Sequence, residues 1–159
     1  MSKIISPSNH LYTSSLKTDF GWVRPICDDK SLVQLDWNQT GWHEPDRPDH
    51  VSRETKSQLQ AFFSGFLQQF DLPLAPAGKN AGGRYWLTIM AKIPYGTVIS
   101  YAEFARLAGK PKAARAAGSV CASNPIPIIY PCHRIIRTNG KLGNYGGGSD
   151  DHPTHSDNL

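Results

Sequence analysis

The sequence predicts an α+β chain built in two parts, on three observations. The first half sets short strand candidates ahead of one helix striped with phenylalanine. A stretch rich in proline and glycine at 72–84 then interrupts both periodicities. Beyond it, two short helices meet at Gly109-Lys110-Pro111, the pattern of a helix-turn-helix.

In the first part, His10–Ser15, Gly21–Arg24 and Ser31–Trp37 read as strands separated by turn-rich segments. A helix is expected from about Arg53 to Phe70, with Ser52 as its N-cap. Leu59, Phe62, Phe63, Phe66, Leu67 and Phe70 recur at helical spacing and make one wide apolar stripe, which marks a core-facing helix. Nothing catalytic stands out in this half. Residues 72–84 read as linker and boundary.

The second part opens with a short helix expected around Tyr85–Ala91, with Trp86, Ile89 and Met90 on its apolar side. Pro94-Tyr95-Gly96 turns the chain into a strand scrap at Val98-Ile99. Ser100 and Glu103, three residues apart, predict a capping box. That helix should run to Ala108 and stop at Gly109, with Pro111 just beyond. A second helix follows from about Pro111 to Ala122. Its Ala114, Ala117, Gly118 and Cys121 should face inward, and Arg115, Ser119 and Ala122 outward. The outward face then carries a single long cation among small residues. Such a helix can approach a duplex closely and push one guanidinium into the base stack. An alanine-rich helix chosen for propensity and close packing is the plainer alternative. Farther on, Arg137–Lys141 reads as a hairpin with an Asn-Gly turn. Leu142–Gly148 reads as a loop whose glycines and Tyr145 leave room for a flat ligand, or as a merely flexible loop.

At 159 residues the chain has room for one ordinary domain or two small ones. A mean hydropathy of −0.42 fits a soluble globular protein. No window approaches the roughly 18 apolar residues that span a bilayer, and the N-terminus lacks the apolar core of a secretion signal. Cys27, Cys121 and Cys132 are odd in number and far apart, which disfavours a disulfide framework and fits a reducing, cytoplasmic setting. Their spacing matches no zinc site, so no metal is expected. The net charge of +4 is unevenly spread. Residues 1–84 balance nine Lys/Arg against nine Asp/Glu, whereas 85–148 carry eight Lys/Arg against Glu103 alone. A concentrated positive segment is the electrostatic footprint of a nucleic-acid binder, or simply a solvated basic surface.

The residues richest in chemistry are Pro131-Cys132-His133-Arg134, directly behind the apolar run Ile126–Tyr130. A cysteine held after a proline, with an imidazole next to it, suits a nucleophile fixed at the end of a buried segment. Neighbouring side chains on a strand point to opposite faces, so the two meet only if the backbone turns there. A buried structural cysteine beside a hydrogen-bonded histidine is the alternative. Arg134 reads as a structural ion-pair partner. Cys27 and Cys121 read as packing residues.

Taken together, the segments 93–104 (IPYGTVISYAEF), 109–120 (GKPKAARAAGSV), 123–134 (SNPIPIIYPCHR) and 144–148 (NYGGG) resemble the O6-alkylguanine-DNA alkyltransferase family in order and spacing. The resemblance is loose in the N-terminal part, where 59–70 followed by 71–74 matches best. It implies a small N-terminal α+β domain (1–76) and a winged helix-turn-helix-like, mostly helical active-site domain (77–159). It also implies a suicide methyltransferase that flips an alkylated guanine out of the duplex and takes the alkyl group onto itself. Cys132 would attack the alkyl carbon and His133 would take the thiol proton through a water. Tyr101 would crowd the backbone phosphate, Arg115 would fill the space vacated by the base, and Ser119 would share that DNA-facing helix. Asn124 would brace the active-site turn. Pro127, Tyr145, Gly146 and Gly147 would line the base pocket, and the carbonyls of Cys132 and Ile135 would accept from guanine's exocyclic amine. Cys121 would lie near the pocket wall. No cofactor is implied. The partner is double-stranded DNA containing O6-alkylguanine, with no membrane and a monomeric protein.

The sequence departs from the family pattern at its end. The family's last helix carries a Glu that orients the catalytic histidine, but no Glu follows Glu103 here, and Pro153 disfavours a helix in 149–159. Asp150 or Asp151 stand as substitutes. Tyr130 occupies a position where a β-branched aliphatic is customary, and Asn80–Gly83 lacks the family's Phe-Gln pair. The missing Glu keeps a second reading open, a protein that binds alkylguanine lesions without catalysis. A plain helix-turn-helix regulator would need base-reading side chains where alanine and glycine stand.

Overall fold

The structure is a computed structural model, and it describes residues 10–137. The chain is α+β and divides into two units, Met1–Gly78 and Lys79–Leu159.

In the first unit β3 (Gly21–Cys27) is the central strand of an antiparallel sheet. It pairs on one side with β4 (Leu32–Asn38), Val23 facing Trp37 and Ile26 facing Gln34. On its other side lie β1 (Tyr12–Thr13) and β2 (Leu16–Thr18). Of the strand expected over His10–Ser15 only Tyr12–Thr13 forms, and β2 begins beyond it at Leu16. Side-chain chemistry explains the break. Ser14 Oγ bonds Ser52 Oγ, while the Ser15 amide and hydroxyl both donate to the Asp46 carboxylate. Those two residues leave the ladder where Arg24 and Pro25 pass opposite, so the missing N–H of Pro25 is tolerated in a central strand.

Helix α1 (His50–Phe63) covers this sheet through Val51, Thr55, Leu59 and Phe62, all buried. It begins earlier and ends sooner than expected. Asp49, not Ser52, is the N-cap: its carboxylate accepts from the Ser52 amide at 2.8 Å, and Ser52 Oγ accepts in return from the Asp49 amide at 2.9 Å. At the other end Gly65 takes φ +83°, its amide reaching Phe62 O and that of Phe66 reaching Ala61 O, a Schellman stop. The stripe therefore breaks before Phe66, which is 87 % exposed, and Phe70 meets the helix by ring contact with Phe62. Over the stretch read as linker, Leu74 forms a parallel bridge with Leu32, and the Ala75 and Ala77 amides donate to Leu32 and Val33 carbonyls.

In the second unit α2 (Ala81–Met90) starts four residues earlier than expected, because the Asn80 side chain accepts from the Gly83 amide and caps it. Trp86, Leu87 and Met90 supply its buried face. β5 (Ile99–Ser100) leads directly into α3 (Tyr101–Leu107), and after Gly109 and Pro111 comes α4 (Ala114–Ala122). Ser100 caps α3 by accepting from the Glu103 amide, but the reciprocal half of the box is not made. Glu103 instead clasps Arg106 with both carboxylate oxygens, a charge-assisted pair that outcompetes a neutral amide donor. Gly109 stops α3 at φ +76° with a second Schellman motif. Finally β6 (Ile135–Ile136) pairs in parallel with β5, Ile99 opposite Ile135. No helix among the described residues is long and apolar enough to cross a membrane.

The Asp46 carboxyl illustrates how the first unit responds to pH. Burial alone would raise its pKa, but two hydrogen bonds from Ser15 and the Arg24 guanidinium at 3.3 Å outweigh that and hold it below the usual range. A lowered folded-state pKa contributes stability that is present above the unfolded value of about 3.9 and lost as pH falls through the folded one. Asp46→Asn is expected to destabilise the protein at pH 7 and to flatten the acid end of its stability profile, measured by denaturant titration from pH 7 to 3.

Candidate active site

α4 ends at Ala122, and the chain then runs from Asn124 to Cys132 without surfacing. A buried loop must find partners for its own backbone, which is why most loops lie on the surface. The sequence reduces that demand by placing proline at 125, 127 and 131, removing three donors. Asn124, 3 % exposed, answers two of the remaining groups. Its Oδ1 accepts from the Ile126 amide at 3.0 Å, and its Nδ2 donates to the Tyr130 carbonyl at 2.8 Å. The Tyr130 amide closes on Ile126 O at 3.0 Å, and Pro127 bridges Tyr130.

The loop delivers the chain into a single 3₁₀ turn over Cys132–Arg134. The Cys132 amide donates to Tyr130 O at 2.8 Å, the Arg134 amide to Pro131 O at 3.0 Å, and the Ile135 amide to Cys132 O. Cys132 and His133 are 1 % and 2 % exposed, and the backbone turns at both. β6 follows at once beside β5, so the Cys132–Arg134 turn leaves alongside the strand that feeds Tyr101, the first residue of α3.

α4 forms the other wall. Ala117 and Cys121 are buried, and one turn later Asn124 grips the loop. Arg115, Ser119 and Ala122 are exposed, as the helical spacing requires. Ala114, expected inward, is exposed too, since the helix begins only there and its first turn projects beyond its neighbours. A Cβ built on Gly118 meets nothing within 4 Å, so glycine here leaves the surface bare rather than relieving an internal clash. Ser119 Oγ donates back to the Arg115 carbonyl.

Two of the cysteines are held as thiols. Burial, reinforced by the Asp49 charge, pushes the Cys27 thiol up to about 12. Burial, and secondarily the proximity of Cys132, also pushes Cys121 strongly upward. Both stay protonated at neutral pH and act as packing groups.

Arg134 requires a correction. It has no carboxylate partner among the described residues. It donates to the Ile93 carbonyl at 2.8 Å, stacks over the Tyr95 ring and lies 8 % exposed. It thereby ties the Pro94-Tyr95-Gly96 turn to the Cys132–Arg134 turn. Sequence spacing gave no sign of that backbone acceptor. Nor did it reveal Ile128, whose φ is +77°. Tyr145, Gly146, Gly147, Asp150, Asp151 and most of the Asn-Gly hairpin lie outside the described residues. An apolar cavity of about 250 Å³ lined by Ile89, Lys92, Ile93, Pro94, Ile99 and Leu107 does not include Cys132. No cluster of metal-ligating side chains occurs among the described residues.

The second unit therefore holds a buried cysteine and a buried histidine in one 3₁₀ turn, behind a loop that Asn124 ties at the end of α4. Residues 84–155 match the family model described as 6-O-methylguanine DNA methyltransferase, DNA binding domain. The methylated-DNA–protein-cysteine methyltransferase of Methanosarcina barkeri is 48 % identical over 148 residues, 88 % of this chain and 91 % of that protein. The one from Methanosarcina acetivorans is 47 % identical over 98 residues, spanning 62 % of each chain. The Mycobacterium tuberculosis OGT structure in complex with DNA superposes with a TM-score of 0.76 at 33 % identity, covering 90 % of this chain and 89 % of that one. The chain belongs to the methylated-DNA–protein-cysteine methyltransferase family.

Asn124→Ala would strand a buried carbonyl and a buried amide together. A loss of about 2–3 kcal/mol of folding stability is expected, read by denaturant unfolding.

Proposed function

We propose that this chain repairs double-stranded DNA by moving an alkyl group, methyl in the simplest case, from O6 of guanine onto its own Cys132. The observation that carries the reading is the buried Cys132–His133 turn, tied through Asn124 to the helix that presents Arg115. The damaged atom lies inside the base stack, so the nucleotide must be extruded before a buried sulfur can reach it. Arg115 projects from the bare face of α4 and occupies the gap, while Tyr101 at the start of α3 presses the adjacent phosphate. No side chain caps the first turn of α4, which leaves its amides free to meet a phosphate, and Ser119 lies on the same face.

His133 takes the thiol proton, through a water, and the thiolate attacks the alkyl carbon in line with the C–O6 bond. The S–C bond forms, the C–O6 bond breaks, and its electron pair leaves with guanine, which then regains a proton. The thioether is stable, so each molecule reacts once and needs no cofactor. Pro127 and Ile135, both buried beside the turn, are placed to line the base pocket, with Tyr145, Gly146 and Gly147 completing it. The fold that performs this is a winged helix-turn-helix-like domain (77–159) behind a small α+β domain (1–76), acting as a cytoplasmic monomer. Lesion binding without transfer needs no thiol, and the retained, buried Cys132 speaks for transfer.

Incubation with duplex DNA containing O6-methylguanine should add about 14 Da to the intact protein, mapped to Cys132 and absent in Cys132→Ser. An unmodified Cys132 would leave only lesion binding. Arg115→Ala should slow transfer from duplex by about tenfold or more while sparing reaction with the free base. Equal losses on both substrates would remove the extrusion role.

A further inference from the structure

Ile128 stands at an improbable place. Its φ of +77° belongs to the left-handed region, where a β-branched residue is a true outlier. It is the first central residue of the turn between Pro127 and Tyr130, the position at which turns with positive φ take glycine, asparagine or aspartate. Its side chain is 1 % exposed. A strained residue persists only when its surroundings over-determine it. Here they do so on both sides: Tyr130 N–H bonds Ile126 O, and Asn124 holds the Ile126 amide and the Tyr130 carbonyl.

Two residues beyond Ile128, the same Tyr130 carbonyl that Asn124 holds accepts the amide of Cys132 at 2.8 Å. The conformation of the 127–130 turn therefore sets where the sulfur stands. Glycine would adopt φ +77° without strain, but it would adopt negative φ as readily, and no side chain would lock the turn. Buried isoleucine does the opposite: it disfavours the backbone locally and, through packing, allows one arrangement only.

We propose that Ile128 is a positioning residue for alkyl transfer, its buried side chain locking a left-handed turn that aims Cys132. The inference rests on Cys132 being the alkyl acceptor. The test is single-turnover alkyl transfer from O6-methylguanine duplex by the full chain, Ile128→Gly and Ile128→Val, at a temperature where circular dichroism shows each folded. Ile128→Gly is expected to lower the limiting rate by about tenfold or more, because small misplacements of a reacting group are costly. Its half-saturating DNA concentration should stay within about twofold, since the DNA-facing surface of α4 is untouched. The inflection of its pH–rate profile should move upward as the thiol loses its fixed place beside His133. Ile128→Val, which keeps the branch, should remain within about threefold of the natural chain. Should the glycine variant fail to fold, Ile128→Ala carries the same expected split. If the natural chain acquires the adduct while the folded variants match its limiting rate and pH profile, the positioning role is overturned. If the natural chain acquires none, it is the alkyl-transfer reading that fails.

Discussion

The Asn124 carboxamide meets one amide and one carbonyl of a loop that turns entirely inside the protein. Without those two bonds the segment from 124 to 132 would bury polar backbone at a cost of a few kcal/mol. It would then open to water, and Cys132 would go with it. Three prolines lower the demand for partners and Asn124 answers much of what remains. The placement of the sulfur is thus a consequence of backbone hydrogen-bond satisfaction. Packing around the thiol alone would not achieve it.

The same residue joins the end of α4 to the loop that leads to Cys132. Asn124 lies one turn beyond Cys121 on the buried side of α4, and Arg115 projects from the opposite side. The end of α4 thus holds the loop that leads to Cys132, while the helix exposes Arg115 on another face. Parallel pairing of Ile99 with Ile135 adds a second tie, between the strand entering Tyr101 and the strand leaving the cysteine turn. Arg134 supplies a third through the Ile93 carbonyl.

Many elements were legible because their signals are local. Gly109 with Pro111 marked the end of α3, and the helical spacing of Arg115, Ser119 and Ala122 separated the outer face of α4. Local rules failed where a competing partner, near or far along the chain, took the group first. Ser52 reads as an N-cap until Asp49 is seen to hold its amide, and Glu103 completes a capping box only if Arg106 does not take it first. The phenylalanine stripe runs on past Phe63, yet a glycine free to adopt positive φ ends the helix at that point. His10–Ser15 alternates like one strand, but Ser14 and Ser15 find stronger partners in Ser52 and Asp46.

By itself the sequence determined the order of the elements, the basic second half and the chemistry of Pro131-Cys132-His133-Arg134, because residue type and spacing are properties of the chain. Only the tertiary structure decided which groups meet: the Asn124 grip on Ile126 and Tyr130, the carbonyl beneath Arg134, and a left-handed isoleucine where glycine is the usual choice. Each of these depends on side-chain and backbone partnerships, short-range for Asn124 and long-range for Arg134, that residue propensity does not encode. A strained backbone in particular leaves no mark in sequence, since it exists only while its neighbours hold it.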